Sequence, residues 1–246
     1  MLVRLQPGAQ NQFSFYYILK MANFESVKIS WFGKHFGEEP PLVYPERNRR
    51  GNERSLPRAR REIGVYPEPR RGAGTIFFTG CNLRCVYCQN YQISQGNIGK
   101  NYTIAELVKI MLDLQTQGAL NIDLVTPTIW FRQLKQTITE AKKQGLKIPI
   151  VWNTNAYDGA KIIKEMEGLV DIYLPDFKYG DDDLAFKYSG VKNYVKVAKE
   201  SIKEMFRQVG NLELSEDGVA KKGVIVRHLV LPDNLENSFK DRKSVV

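Results

Sequence analysis

Long apolar runs, paired cysteines and histidines are all scarce in this chain. The longest apolar stretch near the start, Phe13–Leu19, is far short of the roughly 20 residues that span a bilayer. No small-residue cleavage pattern follows it, so neither a membrane anchor nor a secretory signal is expected, and a cytoplasmic location follows by default. The three cysteines, Cys81, Cys85 and Cys88, fall within eight residues. An odd number so closely spaced makes a poor disulfide framework and a good set of thiolate ligands in a reducing compartment. The two histidines, His35 and His228, are not close in sequence to all three thiols, which argues against a redox or catalytic Cys–His arrangement.

What remains is an ordinary globular composition. With 246 residues and 43% apolar content, the chain can bury one sizeable α/β core. Its net charge of +9 is unevenly spread. Arg47, Arg49, Arg50, Arg54, Arg58, Arg60, Arg61, Arg70 and Arg71 crowd one stretch that is broken by Pro57, Pro67 and Pro69. Without apolar periodicity there is nothing to bury, so residues 46–72 read as an exposed loop insertion. Arginines without interleaved aromatic residues are a weak nucleic-acid signal, so no nucleic-acid partner is expected. Residues 1–45 read as an N-terminal extension packing on the core, and residues 73–246 as the main domain.

In that main domain short β-rich runs alternate with amphipathic helices, the pattern of βα units. Strands are expected at Thr75–Phe78, Ile122–Val125, Ile148–Trp152, Asp171–Leu174 and Val224–Leu231. A helix opens at Thr103 with Glu106 three residues on, a capping box, and places Leu107, Ile110, Met111 and Leu114 on one face. Another, Tyr194–Val209, aligns Val195, Ala198, Ile202, Met205, Phe206 and Val209, so Met205 is packing rather than chemistry. Five βα-type repeats without a sheet-reversing pattern predict an α/β fold, an open or partial (β/α) barrel, with ligands collecting at the carboxyl ends of its strands.

The three thiols follow directly on the first of these strands, in Gly80-Cys81-Asn82-Leu83-Arg84-Cys85-Val86-Tyr87-Cys88. Iron–sulfur clusters are held by cysteine thiolates, and a cubane needs a ligand at each of four irons. Three thiolates leave one iron open to a non-protein ligand. The competing reading is a zinc site completed by His35 or His228; in a chain carrying an arginine-rich segment this becomes a zinc-stabilised nucleic-acid-binding protein.

The C-x-x-x-C-x-x-C spacing resembles that of the radical S-adenosylmethionine (SAM) superfamily. From about His35 onward, apart from the arginine-rich insertion, the chain resembles the branch related to the pyruvate formate-lyase activating enzyme. The matching runs are His35–Leu42, Gly74–Asn90, Asn121–Thr128, Asp171–Tyr179 and Arg227–Pro232. The resemblance implies a [4Fe-4S] cluster on Cys81, Cys85 and Cys88, with the amino and carboxylate groups of SAM on the open iron. An electron from the cluster then cleaves the sulfonium C–S bond to give a 5′-deoxyadenosyl radical. Tyr87 matches the aromatic position of the motif, against cluster and adenine.

The remaining SAM contacts are expected at strand ends. Thr126-Pro127-Thr128 stands where many relatives carry a glycine-glycine-glutamate motif; carbonyls and the Thr126 and Thr128 hydroxyls would substitute for it. Asn153-Thr154-Asn155 resembles a polar turn that contacts SAM, with Ala156 in place of the next glycine. Asp176 and Lys178 match an Asp-x-Lys element near the SAM carboxylate, and both point to one side of an extended chain. Arg227 matches an arginine near SAM, and its planar fork suits a carboxylate. His228 points the other way. No catalytic side chain is assigned.

By resemblance the partners are SAM, an electron donor such as flavodoxin or ferredoxin, and a glycyl-radical enzyme. The fold usually has a sixth strand and helix, and Lys240–Val246 does not read as that strand. A C-terminally truncated, catalytically impaired Fe–S-binding fragment is therefore a further expectation.

Overall fold

The computed structural model describes residues 26–35, 72–231, 234 and 236–237. The arginine-rich stretch and Lys240–Val246 lie outside the described residues. The elements, in chain order, are β1 (Ser26–His35), β2 (Ala73–Phe78), α1 (Tyr91–Ser94), β3 (Lys100–Thr103), α2 (Ile104–Thr116) and β4 (Ile122–Val125). A short 3-10 turn (Thr128–Trp130) leads into α3 (Phe131–Lys143), β5 (Ile150–Thr154), α4 (Ala160–Glu165) and β6 (Ile172–Phe177). There follow α5 (Asp182–Ser189), α6 (Tyr194–Val209), β7 (Glu213–Leu214), β8 (Ala220–Val224) and β9 (Arg227–His228).

One sheet carries these strands in the order β3-β1-β2-β4-β5-β6-β8-β7, with β9 also paired to β6. From β2 through β8 and β9 the pairing is parallel. Sequential order without a reversal is the winding of a partial (β/α) barrel and excludes a doubly wound sheet with a switch point. β1 and β3 extend the sheet antiparallel beyond β2.

Side chains alternate between the two faces. Ile76, Phe78, Ile122, Leu124, Ile150, Trp152, Tyr173 and Phe177 join the main core. Against them pack Leu107 and Met111 of α2, Leu134 and Ile138 of α3, and Ala198 and Met205 of α6. The other face holds a smaller cluster, Val151, Ile172 and Leu174, with no helical residue in it. Among the described residues helices thus cover one face, and the other carries polar groups.

The capping box at α2 is present: Thr103 Oγ1 accepts the Glu106 N–H at 3.2 Å and Glu106 Oε2 accepts the Thr103 N–H at 2.7 Å. In α6 Ala198, Ile202, Met205 and Val209 are buried, but Phe206 is 50% exposed. One residue past Met205, it is rotated about 100° off the buried stripe.

The largest departure from expectation is the last parallel strand. Val224–Leu231 is not one strand; β8 begins earlier, at Ala220, and β9 is a separate two-residue strand. Gly223 lies within β8. Its φ is +125°, and a Cβ there would lie 2.5 Å from the Asn211 carbonyl oxygen and 2.5 Å from Leu212 Cα. Only glycine lets the β7 arm approach β8 so closely.

Candidate functional site

The loop from Thr79 to Asn90 leaves the carboxyl end of β2 and is pinned at several points. Gly80 N–H donates to the Ile93 carbonyl at 2.9 Å, Arg84 N–H to Ser189 at 3.0 Å and Val86 N–H to Tyr188 at 2.9 Å. The Trp130 indole N–H donates to the Thr79 carbonyl at 2.8 Å. The loop is therefore held by α1, by the 3-10 turn after β4 and by the end of α5.

This loop carries the three cysteines as free, partly buried thiols; among the described residues they do not form a preformed metal-binding group. Burial, and then the neighbouring Cys85 and Cys88, push the Cys81 thiol up to about 11, although hydrogen bonds from Leu83 N–H and Asn155 pull it down. Cys81 is therefore a thiol at neutral pH, and metal binding there would release its proton. Asn155, from the turn after β5, donates from its amide to Asn82 Oδ1 at 2.7 Å and to Cys81 Sγ at 3.5 Å. The Tyr87 hydroxyl bonds that of Tyr179. Burial, followed by that bond, raises the Tyr87 phenol.

On the face opposite the helices a polar chain crosses neighbouring strands. Asn153 Nδ2 donates to Asp123 Oδ2 at 3.4 Å, and Arg227 Nη2 donates to Asn153 Oδ1 at 2.6 Å. Arg227 Nε donates to Asp176 Oδ1 at 2.5 Å, and Lys178 Nζ to Asp176 Oδ2 at 2.7 Å. Burial alone would raise the Asp176 carboxyl; the Lys178 ammonium and the Arg227 guanidinium outweigh it and hold the group below its ordinary value. A guanidinium has five N–H donors, so Arg227 keeps donors beyond these two bonds. The Tyr194 hydroxyl, from α6, lies 2.9 Å and 2.8 Å from the carbonyl oxygens of Asn155 and Asp176, which fixes the ends of β5 and β6 together.

Of the residues singled out in the sequence, Asn153, Asp176, Lys178 and Arg227 are thus in one hydrogen-bonded chain, and Asn155 is at the cysteine loop. Thr126, just after β4, donates its N–H to the Asn153 carbonyl at 2.9 Å. Thr128 is not brought to this face. It is 4% exposed, and its hydroxyl donates to Asp158 Oδ1 at 2.7 Å. Asp158 also accepts from Thr154 Oγ1 at 2.7 Å and Trp152 Nε1 at 3.1 Å. The 3-10 turn begins at Thr128 and turns its hydroxyl toward the helix side, so it braces the ends of β4 and β5 instead of facing a ligand. His228 registers with Phe177, a core residue, and Arg227 with Asp176.

Two turn residues hold left-handed backbone: Thr126 at φ 59° and Ala156 at φ 65°. These are the positions where glycine was expected, so the glycine conformation persists without glycine. For a β-branched residue such as Thr126 it is an uncommon, strained state.

Asp123 was missed in the sequence. Burial pushes its carboxyl up to about 6, against the Asn153 hydrogen bond and the Arg227 charge. Its Oδ1 has no hydrogen-bond partner among the described residues. The available signal was a carboxylate between Ile122 and Leu124, hence on the face opposite two core residues.

The chain is 34% identical over 171 residues to an uncharacterized protein, MJ0674, of Methanocaldococcus jannaschii, covering 66% of this chain and 45% of that protein. It is 28% identical over 177 residues to a pyruvate formate-lyase-activating enzyme of Clostridium pasteurianum, covering 68% and 66%. The chain thus spans between about half and two thirds of the length of these relatives. Streptococcus suis SuiB bound to the precursor peptide SuiA superposes with a TM-score of 0.48 at 16% identity, covering 68% of this chain and 34% of SuiB. SuiB bound to S-adenosylmethionine gives 0.44 at 13% identity, with the same coverage. Residues 75–236, from β2 through β9 and including all three cysteines, match the family model of the Radical SAM superfamily. The chain belongs to the radical SAM superfamily.

Proposed function

We propose that the chain holds a [4Fe-4S] cluster on Cys81, Cys85 and Cys88 and binds SAM along the polar chain at the strand ends. The observation that carries the reading is that one pinned loop at the carboxyl end of β2 carries three free, partly buried thiols. Three thiolates suit a cubane with one iron left to SAM. On the polar face of the sheet Lys178 and Arg227 offer cations for a carboxylate, and Asp176 and Asn153 offer oxygens for an ammonium or hydroxyl group.

When bound, the cluster supplies the electron that cleaves the sulfonium C–S bond of SAM. The residues of this chain have other tasks. Arg227 and Lys178 orient the carboxylate end of SAM, Asn155 and Thr126 shape the turns beside it, and Tyr87 packs between the thiols and the adenine. The buried bonds of Thr128, Thr154 and Trp152 to Asp158 keep those turns rigid.

Similarity to the activating enzyme supports a protein glycyl group as the first substrate to try, with a flavodoxin- or ferredoxin-like donor as the source of electrons. The test is anaerobic reconstitution of the whole chain followed by reduction with SAM present. Release of 5′-deoxyadenosine is expected; a loaded cluster that leaves SAM intact would contradict the catalytic part of the reading.

A further inference from the structure

Every sulfur of the cysteine loop has a hydrogen-bonding side chain from a different element. Asn155, after β5, reaches Cys81. Ser94, closing α1, lies 3.2 Å from Cys88 Sγ through its Oγ. Ser189, the last residue of α5, donates from its hydroxyl to Cys85 Sγ at 2.9 Å.

The Ser189 contact is the most developed. Its residue is fully buried, and so is Tyr179, whose hydroxyl lies 2.5 Å from Ser189 Oγ and in turn bonds that of Tyr87. With the Ser189 hydroxyl donating to sulfur, its oxygen is left to accept from Tyr179, and Tyr179 to accept from Tyr87. The donors therefore run one way, Tyr87 to Tyr179 to Ser189 to Cys85. Chains of buried hydrogen bonds polarise one another in a low-dielectric interior.

We infer that Ser189, backed by Tyr179, is a positioning residue that sets the reduction potential of the metal centre held by Cys85; this rests on the cluster assignment proposed above. A hydroxyl donating to a ligating sulfur withdraws charge from it. Reduction adds negative charge to the cluster and its sulfurs, so the hydrogen bond favours the reduced state more than the oxidised one. The potential rises with it. Ser94 acts in the same sense on Cys88, from the opposite end of the loop, and independently of the tyrosine chain.

The experiment is a redox titration of the anaerobically reconstituted full chain, followed by electron paramagnetic resonance. Ser189→Ala should carry as much iron as the unaltered protein and have its one-electron reduction equilibrium weakened about tenfold, which is about 59 mV toward negative potential. Tyr179→Phe keeps the ring and removes the supporting hydroxyl, so a smaller shift of the same sign is expected. Ser94→Ala should add its own shift to that of Ser189→Ala. Full iron with an unmoved midpoint in Ser189→Ala overturns the inference and leaves the cluster assignment standing. Should Ser189→Ala fail to fold, an unmoved midpoint in Tyr179→Phe overturns it equally. Failure of the unaltered chain to take up iron overturns both.

Discussion

The Asn155 amide nitrogen lies 3.5 Å from Cys81 Sγ across 74 residues of sequence, so the end of β5 holds the cysteine loop directly. The same side chain donates to Asn82 and accepts the Tyr157 N–H at 2.9 Å. Asn155→Ala removes all three bonds and leaves partly buried partners unsatisfied, which costs on the order of 1 kcal/mol. Urea unfolding should show a lower midpoint with an unchanged slope; an unchanged midpoint would mean that the loop is held without Asn155.

Arg227 spans Asp176 and Asn153, joining β9 to β6 and β5. Arg227→Ala should leave the iron content alone, because no thiol contacts it, and weaken SAM binding about tenfold, the loss of roughly one charge-assisted hydrogen bond. Equilibrium dialysis with radiolabelled SAM measures this. Equal loss of iron and of SAM would show that Arg227 holds the fold of the loop instead.

Asp123 makes stability depend on pH. Its ordinary value of 3.8 is raised to about 6 in the folded chain. The folded state therefore keeps a proton that the unfolded state has released. The resulting stabilisation is full below pH 3.8, and it is lost as pH rises through about 6. At pH 7 the charged carboxylate costs on the order of 3 kcal/mol relative to a neutral group. Asp123→Asn should flatten this part of the stability–pH curve and raise the melting temperature at pH 7.5 more than at pH 4.5. An equal effect at both values would place the carboxylate in a solvated, unperturbed setting.

Much of the fold is legible because periodicity reports burial. Ile122-Asp123-Leu124-Val125 is a strand in both readings, and Met205 is fully buried as its helical spacing predicts. β8 escaped because its exposed Lys221 and Lys222 replace the apolar alternation that marks a buried strand. Cys81, Asn153, Asp176, Lys178 and Arg227 are legible as motif residues. Asp158, Tyr179 and Ser189 are not. Each is a single polar residue in an ordinary setting, and its partners Thr128, Tyr87 and Cys85 lie 30, 92 and 104 residues away. Contacts of that range follow from strand order, which local pattern does not encode.

The close approach of the β7 arm to β8 at Gly223 offers its own check. Gly223→Ala would force a Cβ against the Asn211 carbonyl. The expected cost is on the order of 2 kcal/mol, seen as a lower urea midpoint. Because Arg227 follows on the same segment, SAM binding should weaken in parallel, while the iron content stays unchanged. A variant as stable as the parent would remove the close approach of β7 as the reason for glycine.

Metal content is the most direct test of the central claim. Anaerobic reconstitution with iron and sulfide should give about four of each per chain, the stoichiometry of a cubane, and Cys85→Ala should abolish it. Tightly held zinc with no iron, or a cluster that survives loss of Cys85, would contradict it.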